Sequence, residues 1–454
     1  MLTRTSGSDE EEKRLRADAN KQDRPMFFVK RFRLAAIPFA ASIGFAAAQE
    51  AERADPSATL NGALLLLAGL FMMLMVAGFS MKQAGVVREK SAAAISLRSL
   101  AAYALAALAF WLLGYNLLFG VEPGGFLGVF QLWSPRAADP ALDRASAGED
   151  WLFQMGCAAL TAMIVAGALG ERVRLWSFLI FAVLLAGVIY PIEASWSWGG
   201  GYLAANWSFG DLAGASVVHS AGGWAALAGA LVIGTRPMRH EERQARQSTG
   251  GNLPLASLGA LVLWFAWFGY LGGAQVAAGE TYDPFSLGKI FVNATIAAAA
   301  SVFTAMVFTQ VVYKKIDLPM ILSAAIGGLV SISAEPLAPA IWQAAVIGAF
   351  GGVIVTVAAS VLERTRIEDV GGVIPAHLGC GVWATLIVPW SSHHAHWPGQ
   401  IIGILMIGAF SFVMSLFIWV LLKYTIGIRV SAERDYLGLD RAELGLDPES
   451  SYDD

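Results

Sequence analysis

Eleven apolar runs, each long enough to cross a bilayer, recur along this 454-residue chain. They lie at about 58–84, 93–118, 150–170, 175–195, 212–234, 254–277, 287–312, 318–334, 341–362, 371–390 and 400–424. A helix of roughly 20 apolar residues matches the ~30 Å hydrocarbon core of a membrane. The runs predict an all-α integral membrane protein with eleven transmembrane helices. Only 15% of residues are charged, against about a quarter in soluble domains. The 48 glycines suit membrane helices that pack closely. The net charge of −4 carries no basic excess, so nothing points to nucleic acid. Cys157 and Cys380 both fall inside apolar runs, which argues against a disulfide framework or a thiolate metal site.

The chain divides into an N-terminal extension and signal peptide (1–48), a membrane domain (58–424) and a C-terminal tail (425–454). Lys30, Arg31 and Arg33 precede a short apolar run ending in Ala46-Ala47-Ala48, the layout of a secretory signal peptide. Met26 is an alternative start, and the rival to a cleaved signal is an uncleaved first helix. Basic residues then follow the odd-numbered runs, in "VVREK" (86–90), "ERVR" (171–174), "TRPMRHEERQAR" (235–246), "YKK" (313–315) and "ERTR" (363–366). Loops after even runs lack Lys and Arg, except the mixed 2–3 loop with Arg136 and Arg144. The positive-inside rule therefore puts the mature N-terminus outside and the tail in the cytoplasm. The signal peptide suggests a bacterial inner membrane.

Runs 1–5 and 6–10 then form two five-helix halves of opposite orientation, an inverted repeat, with run 11 as a C-terminal addition. Run 5 contains "GASVVHSAGGW" and run 10 contains "GVIPAHLGCGVW". His219 and His377 occupy matching places in matching helices, each followed by glycines and a tryptophan, Trp224 or Trp383. The plain reading of one such histidine is a core residue bonding a backbone carbonyl. Two at symmetry-related positions point instead to a functional pair near the midplane, where repeat-built transporters hold their substrate. A neutral imidazole has one donor and one acceptor, so a bonded pair leaves one of each for a small polar solute.

These residues resemble the ammonium transporter/Rh family. "DLAGASVVHSAGGWAALAGALVIG" is similar to its fifth-helix signature and "GGVIPAHLGCGVWATL" to its second histidine motif. "FQMGCAALTAMIVAGALGERVRL", "WSWGGGYL", "WFAWFGYLGGA" and "GIRVSAERDYLGLD" follow in the family's order, over about residues 58–445. The resemblance implies an ammonium/ammonia channel or transporter, not an enzyme, with no cofactor. It implies a homotrimer in the lipid bilayer and, at the cytoplasmic face, a PII-type signalling protein as partner.

Carried over residue by residue, the resemblance places Trp198 and Phe153 at an outer aromatic site that recruits ammonium. Gln154 belongs to the conduction pathway. Asp211 stands about 12 Å before His219 along the helix and reads mainly as a buried cap, the alternative being a direct ammonium ligand. Trp196 and Trp207 fit an aromatic belt at the interface. The sequence departs from the family pattern at three places. Ala274 stands where a hydroxyl is usual. Tyr270 fills one position of the stacked aromatic pair that closes the pore, but Cys157 fills the other. The tail reads "GLDRAELGLD" rather than the common ending. Those departures keep open a transporter-derived ammonium sensor that conducts little and signals through a separate partner. His393, His394 and His396 are a metal-site candidate, though a solvated loop is the simpler reading and no carboxylate completes a hydrolytic set.

Overall fold

The computed structural model describes residues 56–135, 148–236, 251–279 and 283–446. The signal peptide, Arg144 and the 237–246 part of the basic loop lie outside them. The chain divides into two units, Met1–Thr59 and Leu60–Asp454, and the helices from residue 60 onward belong to the second.

Among the described residues nine helices are long and apolar enough to cross a membrane. They are α1 (Pro56–Val86), α2 (Glu89–Phe119), α3 (Gly148–Leu169), α4 (Leu175–Ser195), α5 (Ala215–Ile233), α6 (Leu253–Ala277), α7 (Pro284–Tyr313), α9 (Ile341–Arg364) and α11 (Trp397–Thr425). Two shorter apolar helices, α8 (Leu318–Ser333) and α10 (Ile374–Trp390), fall at the remaining predicted runs. Two tail helices follow, α12 (Ala432–Leu437) and α13 (Leu439–Leu444).

Local chemistry explains several boundaries. Asn252, Asp283 and Asp317 each accept a backbone N–H from the turn they begin, and a proline stands in the first turn of α6, α7 and α8. Such caps satisfy donors the helix cannot, and proline there gives up an N–H that would be unpaired anyway. Large apolar side chains such as Phe303, Trp342, Leu405 and Phe417 are exposed on α7, α9 and α11. Outward apolar surface on helices of membrane length suits a lipid or protein surround. This is a multi-pass membrane protein.

The helices are fitted to one another by glycines. Helix α3 is buried along nearly its entire length, while α10 packs against α5, α8 and α9. Helix α9 meets α7 backbone to backbone: a Cβ on Gly348 would stand 2.0 Å from the Ala297 carbonyl oxygen, and one on Gly352 2.4 Å from that of Ser301. This small-xxx-small spacing lets two membrane helices touch without intervening side chains. Gly348→Leu is therefore expected to destabilise the protein by about 3 kcal/mol, read as a lower thermal midpoint in detergent. An unchanged midpoint would mean the α7–α9 contact contributes little.

Trp196 differs from expectation. It is buried, with Nε1 donating to the Phe126 carbonyl at 2.9 Å and its ring against Phe410. The loop after α2 folds back beneath it and makes it core rather than belt.

Candidate functional site

His219 and His377 come together. Each sits in a π-helical turn that opens its helix, Ala215–Ser220 in α5 and Ile374–Gly379 in α10. A π turn widens the helix by one residue and frees backbone groups, a feature concentrated at functional sites. Both rings are fully buried, and their Nδ1 atoms are 3.2 Å apart in a hydrogen bond. One ring donates and the other accepts, which leaves His219 Nε2 without a partner.

Aromatic rings continue the line in both directions. The His219 ring stacks on Trp267 at 5.1 Å and meets the edge of Tyr270 at 5.8 Å. Tyr270 lies 6.3 Å from Phe153. Phe153 in turn lines a mouth of 390 Å³ together with Trp198, Gln154, Asp211, Ala274 and Glu335. On the other side His377 stacks on Phe79 of α1 at 5.7 Å. The order is mouth, Phe153, Tyr270, His219, His377, Phe79.

The mouth is built on the segment before α5. Leu212 and Ala213 donate to the Ala334 and Ser333 carbonyls at 2.9 and 3.1 Å. Gly214 then takes φ +71°, and a Cβ there would stand 3.0 Å from the Trp198 ring. Only glycine accepts that backbone without strain and leaves room for the indole. The Asp211 carboxylate accepts from the N–H groups of Ala215 (2.6 Å), Ser216 (2.8 Å) and Val217 (2.9 Å). It is a cap on the π turn. Its backbone carbonyl also receives Trp198 Nε1 at 2.8 Å, so one residue fixes both the histidine helix and the indole.

The sequence-predicted residues thus gather around one path: Trp198, Gln154, Asp211 and Ala274 at the mouth, Phe153 and Tyr270 below it, and the two histidines inside. Cys157, one turn beyond Phe153, is buried and has no ring to stack. Tyr270 instead donates its hydroxyl to the Ala213 carbonyl. His393, His394 and His396 remain exposed, and the described residues contain no group of three metal-ligating side chains.

Sequence reasoning passed over Trp267, Glu335, Lys82 and Glu193. Lys82 and Glu193 are buried inside predicted spans, and an ionisable residue within a span is itself a signal. Both Glu193 carboxylate oxygens lack a hydrogen-bond partner inside the protein.

A line of rings leading from an open mouth to a buried polar pair, within a bundle of membrane-length helices, is the arrangement of a membrane transporter or channel. Residues 63–448 match the family model described as Ammonium Transporter Family, and the chain belongs to that family. Ammonium transporter Amt2 of Archaeoglobus fulgidus is 32% identical over 87% of this chain and 89% of its own length. Ammonium transporter Amt2 of Haloferax mediterranei is 31% identical over 88% and 92%. A solved structure named Sensor Amt Protein superposes with a TM-score of 0.78 at 29% identity, covering 85% of this chain and 98% of that one. The two relatives from Archaeoglobus fulgidus and Haloferax mediterranei are named as transporters, not enzymes.

Proposed function

We propose that the chain carries ammonium, or ammonia formed from it, from the mouth at Trp198 past the histidine pair. The observation that carries this reading is the Nδ1–Nδ1 hydrogen bond within the aromatic line. At the mouth, the π faces of Trp198 and Phe153 recruit the cation, each worth up to about 2 kcal/mol when desolvated. Gln154 Oε1 has no partner inside the protein and is free to accept an N–H of ammonium. Ala274 presents a methyl group there, so recruitment leans on the rings and on Gln154. Phe153 and Tyr270 then strip water from the solute. With Cys157 in place of a second stacked ring, this closure is looser than a full aromatic pair.

The same reading counts α8 and α10 as spans. That gives eleven, in two five-helix halves of opposite orientation with α11 appended. The matching π turns under His219 and His377 support it. With Lys and Arg on the inner side, the mouth faces outward and the tail is cytoplasmic, in a bacterial inner membrane. Removal of a signal peptide within 1–48, assembly as a homotrimer and docking of a PII-type protein at the cytoplasmic face complete the proposal.

The test is ammonium-evoked flux in proteoliposomes, read as current on a sensor electrode and as internal pH by an enclosed dye. Wild type is expected to give saturable flux, and His219→Ala to reduce it at least tenfold or change its charge. Wild-type signals equal to those of empty vesicles would sink the conduction reading. The second reading, a sensor with little conduction and a separate partner, is favoured by the likeness to the protein named Sensor Amt Protein. It predicts ammonium-dependent thermal stabilisation without flux.

A further inference from the structure

Beyond the histidine pair, at the end of the path away from the mouth, stands a lysine. Lys82 lies on α1, three residues after the Phe79 that stacks on His377, and is 3% exposed. Residues three apart share a helix face, so its ammonium group lies on the same side as that ring. The group donates to the Gly371 carbonyl at 2.8 Å and reaches Ser323 Oγ at 3.5 Å. Gly371 leads directly into the π turn that carries His377. Among the described residues no carboxylate stands within ion-pair distance of Lys82. Asp369 acts on it only at longer range. One Asp369 oxygen caps Ile374 N at 2.7 Å and the other has no hydrogen-bond partner.

A primary ammonium held at this point is chemically the transported ion on a tether. It occupies the carbonyl and hydroxyl that a passing cation would need, and its charge is not cancelled by a contacting acid. Like charges repel strongly where water is scarce. A neutral, dipolar ammonia molecule meets no such barrier.

We propose that Lys82 is a charge filter, which rejects ammonium and other small cations at the inner end of the path and passes ammonia. The proposal rests on the conduction reading above. Ammonium then gives up a proton on the mouth side. The N–H electron pair stays with nitrogen, the proton returns to the outer solution, and ammonia alone crosses.

The experiment compares wild type with Lys82→Met and Lys82→Gln in proteoliposomes given an ammonium chloride pulse, with current and internal pH recorded together. Lys82→Gln keeps a donor for the buried acceptors without the charge, and carries the test if Lys82→Met fails to fold. Wild type is expected to alkalinise the lumen with little current, and the variants to gain at least tenfold in current. A structural role for Lys82 would lower both signals together rather than raise one. Equal currents in all three proteins, with the dye reporting flux, would overturn the filter and leave the conduction reading intact. Wild-type current as large as that of the variants would do the same. Silence of both signals in every protein would remove the conduction reading and the filter with it.

Discussion

Asp211→Ala is expected to abolish ammonium flux and to lower stability by about 4 kcal/mol. The carboxylate holds three backbone N–H groups that open α5, all buried. Hydrogen bonds to a charged acceptor contribute about 1.5–3 kcal/mol each, and a buried donor left unpaired costs a similar amount. Inside a membrane protein no bulk water repairs the loss. The geometry suffers as well. The π turn is what turns His219 toward His377, and the Asp211 carbonyl anchors the Trp198 indole at the mouth. Asp211→Asn retains one acceptor oxygen, but its amide nitrogen faces N–H groups that need an acceptor, so about half the destabilisation is expected. Thermal midpoints in detergent and flux from the same preparations check this. A wild-type midpoint in Asp211→Ala, with flux lost, would instead support the direct-ligand role for this acid.

Much of the architecture was legible because hydropathy and charge asymmetry are averages over many residues, and such averages survive in a single sequence. The histidine pair was legible for a different reason: two rare residues recurred in the same local setting, so each vouched for the other. Lys82 has no counterpart of that kind. One lysine among 31 residues of α1 barely changes a hydropathy window. Its partner Gly371 lies 289 positions away, with no pattern linking the two. The π turns were also hidden, since glycines and small residues before a histidine are equally compatible with a regular helix. What selects the π turn is the Asp211 carboxylate reaching three successive N–H groups, a contact that exists only once the preceding loop has docked on α8. Trp196 failed as a belt residue for a related reason. Belt position follows from the end of a span, but whether a loop covers that end depends on the fold.

The tail shows most fully how long-range charge can be built from unremarkable loops, and it carries the second large effect. Glu171 is completely buried between Arg88 (2.7 Å) and Arg236 (3.2 Å). Arg236 continues to Glu368 at 2.6 Å and to Asp435 of α12 at 3.6 Å. Asp440 accepts the N–H groups of Ala93 and Ala94 at 3.2 and 2.7 Å, and Glu443 pairs with buried Arg98 at 2.8 Å. The acids of the 432–444 tail thus dock on basic and N–H groups at the start of α2. Removing Glu171 leaves Arg88 and Arg236 short of one buried acid, though Asp435 still pairs with both and Glu368 with Arg236. The expected cost is below the ~3–5 kcal/mol of a fully orphaned buried charge. Glu171→Gln should therefore lower the thermal midpoint and loosen α12, seen as faster trypsin cleavage after Arg434. Wild-type cleavage would show that the tail is held by its other contacts alone. Acid has a related effect through Glu368. Its burial alone would raise the carboxyl pKa, but the Arg236 and Arg172 guanidiniums overcome that and hold it down at about 2. A depressed folded pKa means the stabilisation is complete above the ordinary carboxyl pKa near 4.5 and is lost as pH falls from there through about 2. The midpoint should fall over that interval, and Glu368→Gln should flatten the fall. An equal acid dependence in the variant would assign the loss to other carboxylates.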